Sequence, residues 1–173
     1  APYPVVICLQ GHSTGMHISL GRALYPGDED RIAGGDRDFA LQAVREGYAA
    51  LTVEQRGLGE RKTYNYHGKV NIAFDEHPAM AALLVGRTLL RERCWDVSRA
   101  IDQLEEFGEI DSSRIAVMGN SGGGTTAYYT ACFEPRVKAA MPSCAVCSFD
   151  LSIGVMEHCD CNYVPGAAKY LDM

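Results

Sequence analysis

The sequence lacks the segments that would link it to a membrane or to nucleic acid. No apolar run approaches the ~18 consecutive residues that a membrane span requires, and the N-terminal stretch has no basic region of the kind that opens a signal peptide. The formal net charge of −6 comes without a basic run. We therefore expect neither nucleic acid nor a membrane as a partner. These absences favour a cytoplasmic protein and leave its oligomeric state open.

Repeats and low-complexity segments are also absent. The 173 residues, 47% of them hydrophobic, suffice for one domain with a buried core. We expect a single domain over residues 1–173. Because the chain starts at Ala1 rather than at Met, and an apolar run follows almost at once, we expect this domain to be incomplete at its N-terminus.

The seven cysteines are an odd number, which argues against a disulfide framework. Cys8 and Cys132 lie in apolar runs and are predicted to be small buried hydrophobic residues. A second group has C-x-x-C and H-C-x-C spacing that could supply zinc ligands: Cys144, Cys147, His158, Cys159 and Cys161. We favour buried reduced thiols there, because the intervening residues do not resemble a zinc ribbon. No metal or organic cofactor is predicted.

Apolar runs alternate with helical patterns along the chain. The predicted strands cover residues 4–9, 48–53, 115–118 and 137–141, and the predicted helices cover 39–46, 79–107 with a break near Gly86, and 125–133. The apolar residues of the stretch 57–78 do not recur at a helix or strand spacing, so this stretch is predicted to form a long loop. This alternation predicts an α/β fold, with a mostly parallel sheet flanked by helices on both faces.

The run from Arg114 to Gly124 carries the strongest chemical signal. It contains G-x-S-x-G, in the form Gly119-Asn120-Ser121-Gly122-Gly123, directly after an apolar strand. A serine in this context sits on a sharp strand-to-helix turn, which only very small neighbours tolerate. The N-terminal N–H groups of the following helix would point at the same spot. Ser121 is therefore the predicted nucleophile.

Glycine-rich strand-to-helix turns can also bind phosphates. A P-loop needs Gly-Lys-Ser/Thr, and no lysine precedes Thr125 or Thr126. Residues Gly122 to Ala127 do satisfy G-x-G-x-x-A, but the next strand ends in Met141-Pro142-Ser143-Cys144 without the acidic residue that a dinucleotide site requires. A nucleophile elbow is the favoured interpretation, and a phosphate loop and a purely structural turn remain the alternatives.

Acyl transfer also needs hydrogen-bond donors where the oxyanion forms. The backbone N–H of Gly122 is one predicted donor, and that of His12, in the loop after the first strand, is the second. Gln10 is expected to shape this loop. Loops after three strands should converge on one crevice. The residues predicted to line it and bind substrate are Gln10, Asn120, Tyr64 and Tyr66.

With these motifs in hand, the chain resembles the α/β-hydrolase superfamily, most closely its bacterial acetyl xylan esterase-like and dienelactone hydrolase-like members. The likeness spans nearly all residues. It includes Leu9-Gln10-Gly11-His12, Cys94 to Ala100 and the elbow. It also includes Glu54-Gln55-Arg56-Gly57-Leu58-Gly59, which is similar to D-x-R-G-x-G. In such a turn we expect Arg56 to hold the loop by pairing with Glu54 or Glu60.

The resemblance implies a triad acid and histidine after the nucleophile, on later strand ends. The sequence ends at Met173 before either, so we expect the fold to be truncated before its last strands and this chain alone to lack the acid and histidine. The alternative is a triad within the chain that recruits Asp150 or Asp160 with His158.

The resemblance implies a serine hydrolase of carboxylic esters, such as short acetyl esters of sugars or small molecules. Two alternatives stay open. One is a peptidase of the same fold, and the other is a catalytically inactive hydrolase-like binding module. The sequence does not determine the acyl or alcohol specificity.

Overall fold

The computed structural model describes residues 2–12, 14–62 and 76–170. Within them, four strands form one sheet in the spatial order β2-β1-β3-β4, and every pairing is parallel. The strands are β1 Tyr3–Leu9, β2 Ala49–Thr52, β3 Ile110–Asn120 and β4 Val137–Ser143. The predicted parallel α/β architecture is confirmed.

Six α-helices accompany the described part of the sheet. They are α1 Met16–Ser19, α2 Asp28–Ala33, α3 Phe39–Arg45, α4 Glu76–Leu84, α5 Leu89–Leu104 and α6 Gly122–Phe133. Short 3₁₀ turns occur at Gly59–Arg61, Asp160–Asn162 and Ala167–Lys169. None of the helices in the described ranges is long and apolar enough to cross a membrane.

Both faces of the sheet are covered by helices. One face packs Val5, Ile7 and Leu9 of β1 against the apolar stripe of α5 and against Ala127 of α6. The other face packs Val6 and Cys8 against α3. Because successive side chains of a strand point to opposite faces, a run that is apolar at every position is buried on both sides.

The predicted helical stretch 79–107 divides at Gly86, as expected. Gly86 has φ of +70°, and its N–H and that of Arg87 donate to the carbonyls of Leu83 and Ala82, which closes the end of α4. The next helix begins with Thr88, whose side chain accepts a hydrogen bond from the N–H of Arg91 at 3.1 Å. Glycine and threonine therefore mark the boundary between α4 and α5.

The bounds of three predicted elements needed correction, and two short helices were missed. β3 begins at Ile110 rather than Ile115, because exposed polar residues at 112–114 obscure its apolar pattern. β4 continues through Pro142, which an edge strand accommodates because proline lacks only the N–H. α6 begins at Gly122 rather than Thr125. Helices α1 and α2 were not predicted, since they are too short to show a period.

Candidate active site

Ser121 occupies the turn between β3 and α6. It has φ of 54° and ψ of −121°, a left-handed conformation that is strained for a residue with a side chain. Its N–H donates to the carbonyl of Ser143 at 2.9 Å, and its carbonyl accepts from the N–H of Thr125 at 2.9 Å. The strained residue is therefore fixed on one side by β4 and on the other by the first turn of α6.

Glycines make this turn sterically feasible. A Cβ on Gly119 would lie 2.3 Å from the carbonyl oxygen of Gly123, and one on Gly123 would lie 2.2 Å from the carbonyl oxygen of Leu9. A Cβ on Gly124 would lie 2.5 Å from the carbonyl oxygen of Ser143. Since these contacts are with backbone, no rotamer change could relieve them, and the elbow requires glycine at all three positions.

The loop after β1 lies directly against the elbow. A Cβ on Gly11 would lie 2.5 Å from the carbonyl oxygen of Asn120 and 2.9 Å from Cβ of Ser121. A Cβ on Gly122 would lie 2.5 Å from Cε1 of His12. The loop and the helix start are therefore in close contact, and the backbone segments that hold the two predicted oxyanion donors, His12 and Gly122, are neighbours.

Gln10 has a structural role in this loop. Its side chain is buried and donates to Ser19 Oγ at 2.9 Å and to the carbonyl of Arg37 at 2.8 Å. Both amide hydrogens are thus used inside the protein, rather than facing a substrate as the sequence suggested. The backbone carbonyl of Gln10 accepts a hydrogen bond from the side-chain amide of Gln55. This bond ties the loop after β2 to the loop after β1.

The imidazole of His12 contacts the candidate nucleophile. His12 Nδ1 lies 3.5 Å from Ser121 Oγ, and Nε2 lies 3.1 Å from Cys161 Sγ. Cys161 is buried in the 3₁₀ turn Asp160–Asn162 and accepts a hydrogen bond from Arg93 Nη1 at 3.3 Å. This contact could not be predicted from the sequence, because His12 and Cys161 are 149 positions apart and belong to no common motif.

Arg56 holds the loop after β2, as expected, but through carboxylates on α5. It makes a bidentate pair with Asp96 at 2.7 and 2.6 Å and a second pair with Glu92 at 2.7 Å. Burial alone would raise the pKa of Asp96, but hydrogen bonds from Arg56 and Arg61 outweigh it and lower that pKa. The predicted partners, Glu54 and Glu60, were wrong, because α5 packs beside this loop.

Glu54 instead joins two loops through their backbones. Its carboxylate accepts hydrogen bonds from the N–H of Met16 at 3.1 Å and from the N–H of Glu60 at 3.2 Å. Burial raises the pKa of Glu54, against the lowering effect of these hydrogen bonds. A Cβ on Gly59, where φ is +50°, would collide with this carboxylate. Glu54 therefore fixes the loop geometry beside the crevice.

The other predicted site residues have different outcomes. Asn120 is partly buried at the end of β3, beside Ser121. Tyr64 and Tyr66 lie outside the described residues. Asp150, Asp160 and His158, the members of the alternative triad, are all exposed, whereas the histidine that contacts Ser121 is His12.

No disulfide joins the seven cysteines, all of which lie within the described residues. Cys8 is buried as predicted, and burial raises its pKa to about 12. The prediction for Cys132 was wrong, since it lies exposed on the outer side of α6. Of the second group, Cys161 alone is buried, and Cys144, Cys147 and Cys159 are exposed. Within residues 2–12, 14–62 and 76–170, no group of three or more His, Cys, Asp or Glu side chains could hold a metal ion.

Sequence comparison links the chain to hydrolases. The family of fungal glucuronyl esterases matches residues 84–148, the stretch that includes α5, β3 and the elbow. A Bacillus subtilis protein described as a hydrolase, YtaP, is 26% identical over 176 positions, which cover 98% of this chain and 53% of that protein. The chain thus spans about half the length of the curated relative that it matches.

Solved structures share the architecture. A Bacteroides fragilis protein described as an acetyl xylan esterase superposes with a TM-score of 0.66 at 20% identity, over 80% of this chain and 36% of that one. The chain has the α/β-hydrolase fold. The acetyl xylan esterase from Paenibacillus sp. R4 superposes with a TM-score of 0.58 at 25% identity, over 98% of this chain and 48% of that one. A Klebsiella pneumoniae protein described as a dienelactone hydrolase superposes with a TM-score of 0.52 at 21% identity, over 82% of this chain and 48% of that one. The resemblance stated from the motifs is confirmed.

Proposed function

We propose that the intact protein is a serine-dependent hydrolase of carboxylic esters, with Ser121 as its nucleophile. The observation that carries the proposal is the strained backbone of Ser121, between the end of β3 and the N-terminus of α6. A protein retains such strain where it has a use, because each strained residue costs about 1–3 kcal/mol of stability. Lifting Oγ clear of the sheet toward a crevice is such a use.

The proposed chemistry proceeds through an acyl-enzyme. Ser121 Oγ attacks the ester carbonyl carbon while its proton passes to a base, and the carbonyl electron pair moves onto the oxygen. The backbone N–H groups of Gly122 and His12 stabilise that oxyanion, and the N-terminus of α6 adds its partial positive charge. The alcohol then leaves with a proton, and water hydrolyses the acyl-enzyme. The close packing of the His12 loop on Gly122 supports this assignment.

The base follows from the order of residues in this superfamily, in which an acid and a histidine come after the nucleophile. We propose that the intact protein carries this pair beyond the stretch that corresponds to residues 1–173. The 53% coverage of YtaP is consistent with a longer parent.

The proposed substrates are short acyl esters, such as acetyl groups on sugars or on small molecules. Support comes from the acetyl xylan esterases among the similar structures. No nucleotide or metal enters the proposed reaction.

The test measures hydrolysis by the intact natural protein. We expect p-nitrophenyl acetate to be cleaved faster than esters of long acyl chains, and Ser121→Ala to lower kcat by about 10⁴-fold or more. Ser112→Ala, which alters an exposed serine of the same strand, is the matched control and should behave as wild type. A Ser121→Ala enzyme with undiminished activity would contradict the proposal, as would faster cleavage of peptides than of esters, or no hydrolysis at all.

A further inference from the structure

A chain of hydrogen-bonded side chains leads from the candidate nucleophile, Ser121, to the buried Arg93. It runs from Ser121 Oγ to His12 Nδ1, from His12 Nε2 to Cys161 Sγ, and from Cys161 to Arg93 Nη1, over 3.5, 3.1 and 3.3 Å. Its far end is rigid, because Arg93 is 1% exposed and its Nε also donates to the carbonyl of Arg56 at 3.0 Å.

The chemistry of each group gives this chain a direction. A guanidinium can only donate hydrogen bonds, so Cys161 Sγ accepts from Arg93. The thiol hydrogen of Cys161 has its own acceptor, because Sγ lies 3.6 Å from Oδ1 of Asn162. The lone pairs of Sγ therefore face the imidazole, and His12 Nε2 carries the hydrogen. In neutral imidazole the other nitrogen is then an acceptor, and Nδ1 faces the hydroxyl of Ser121.

Packing keeps the ring in this position. The imidazole lies against Cα of Gly122, where any Cβ would come within 2.5 Å of Cε1. The ring is thus confined between the elbow and the 3₁₀ turn Asp160–Asn162 that carries Cys161.

We infer that Cys161 is a positioning residue for the nucleophile: with Arg93 behind it, Cys161 fixes His12 in the tautomer whose Nδ1 accepts a hydrogen bond from Ser121. This inference rests on the proposed function, because it gives the side chain of His12 a role separate from its backbone N–H. In the resting enzyme Nδ1 accepts the hydroxyl hydrogen and fixes Oγ of Ser121 at the elbow. When an ester binds, this hydrogen turns to the proposed base, and Oγ keeps its place beside the ring with a lone pair directed at the acyl carbon. The same contacts hold the loop that supplies the second oxyanion donor.

The test compares Cys161→Ala with Cys161→Ser in the intact natural protein. We expect Cys161→Ala to lower kcat for an acetyl ester about tenfold with KM within about twofold, by analogy with metal sites, where losing a partner that orients a histidine ligand costs about 10–100-fold. Cys161→Ser should recover most of the loss, since a hydroxyl oxygen still accepts from both neighbours. Cys132→Ala, at an exposed cysteine, is the control and should match wild type. Active-site titration with a fluorophosphonate corrects each rate for the folded fraction.

Two further readouts separate positioning from simple packing. The ¹⁵N signals of the His12 ring should show a protonated Nε2 in the wild type and in Cys161→Ser, and a shifted tautomer in Cys161→Ala. Wild-type kcat in Cys161→Ala, equal losses in both variants, or unchanged ring signals would overturn the inference. If Ser121→Ala is inactive while Cys161→Ala is not impaired, the inference alone fails. If Ser121→Ala keeps its activity, the proposed function fails as well.

Discussion

Strands β1 and β4 were both predicted from apolar residues, and both pair with β3 in parallel, yet their environments differ. Residues Val5 to Leu9 of β1 are at most 6% exposed, whereas Met141 in β4 is 50% exposed. The first strand has a neighbour on each side and helices on both faces, while β4 is at the edge of the described sheet. An apolar run therefore predicts a strand, but its burial depends on what surrounds it.

The same contrast applies to the backbone. Where β1 meets α6, Gly123 lies against the carbonyl oxygens of Leu9 and Gln10, with no room for another atom. Around β4 and residues 144–160, many side chains are exposed. The elbow side of the sheet should thus tolerate substitution far less than the outer side, and the three predictions below test this difference.

The largest expected effect is from Gly123→Ala. Its Cβ would lie 2.2 Å from the carbonyl oxygen of Leu9, and because both partners are backbone, β1 or α6 would have to move. We expect a loss of roughly 3 kcal/mol or more in the free energy of unfolding, measured by chemical denaturation. Gly108→Ala is the control: a Cβ there meets nothing within 4 Å, and we expect a change within ~0.5 kcal/mol. Equal stability of the two variants would remove the basis for a tight elbow.

A smaller effect is expected from truncation of side chains in the two strands. Ile7→Ala removes a fully buried side chain from β1 and should cost about 2–5 kcal/mol. In the 173-residue chain, Met141→Ala in β4 should cost under ~1 kcal/mol, because half of that side chain is exposed there. Thermal and denaturant unfolding of both variants in this chain measures the difference. Comparable losses would mean that Met141 is as tightly packed as Ile7.

The smallest effect concerns the turn that joins α6 to β4. Glu134 accepts hydrogen bonds from Arg136 at 2.7 and 2.8 Å and from Ser98 at 2.6 Å. The guanidinium of Arg136 is the main reason that the pKa of Glu134 falls to about 2. A lowered pKa in the folded state stabilises the protein above the ordinary carboxyl pKa, and this contribution disappears as the pH falls through about 2.

Glu134→Gln should therefore cost about 2 kcal/mol at neutral pH, the usual contribution of hydrogen bonds to a charged group. The difference in the free energy of unfolding between this variant and the wild type should shrink as the pH falls from 4.5, the ordinary pKa of a glutamate, toward 2. Urea denaturation across this range measures it. Glu46→Gln, at an exposed carboxylate that follows α3, is the control and should change the free energy of unfolding by less than ~0.5 kcal/mol at every pH. A constant difference at every pH would assign the loss to packing rather than to charge.

Much of the fold could be predicted from local patterns. The strands, the break at Gly86 and the buried stripe of α5 follow from apolar periodicity and from glycine chemistry. The elbow context of Ser121 follows from its glycines. The start of β3 was missed because its polar residues hide the apolar pattern. Helices α1 and α2 were missed because a hydrophobic period becomes visible only over several turns.

Around the site, prediction succeeded for the backbone and failed for the partners. The loop of Arg56 was expected to be held by carboxylates, but Asp96 and Glu92 are 40 and 36 positions away. The buried position of the Gln10 side chain was missed as well, because its partners come from elements that the sequence did not reveal.

The amino-acid sequence alone determined the order of the four strands and the longer helices and the strained turn at Ser121, since these depend on the conformational limits of adjacent residues. Tertiary structure decided which apolar strand is buried and which residue meets His12. Those outcomes depend on the packing of distant segments, and for His12 and Cys161 the separation is 149 positions. No local preference encodes such a contact, because its energy exists only once the sheet has assembled.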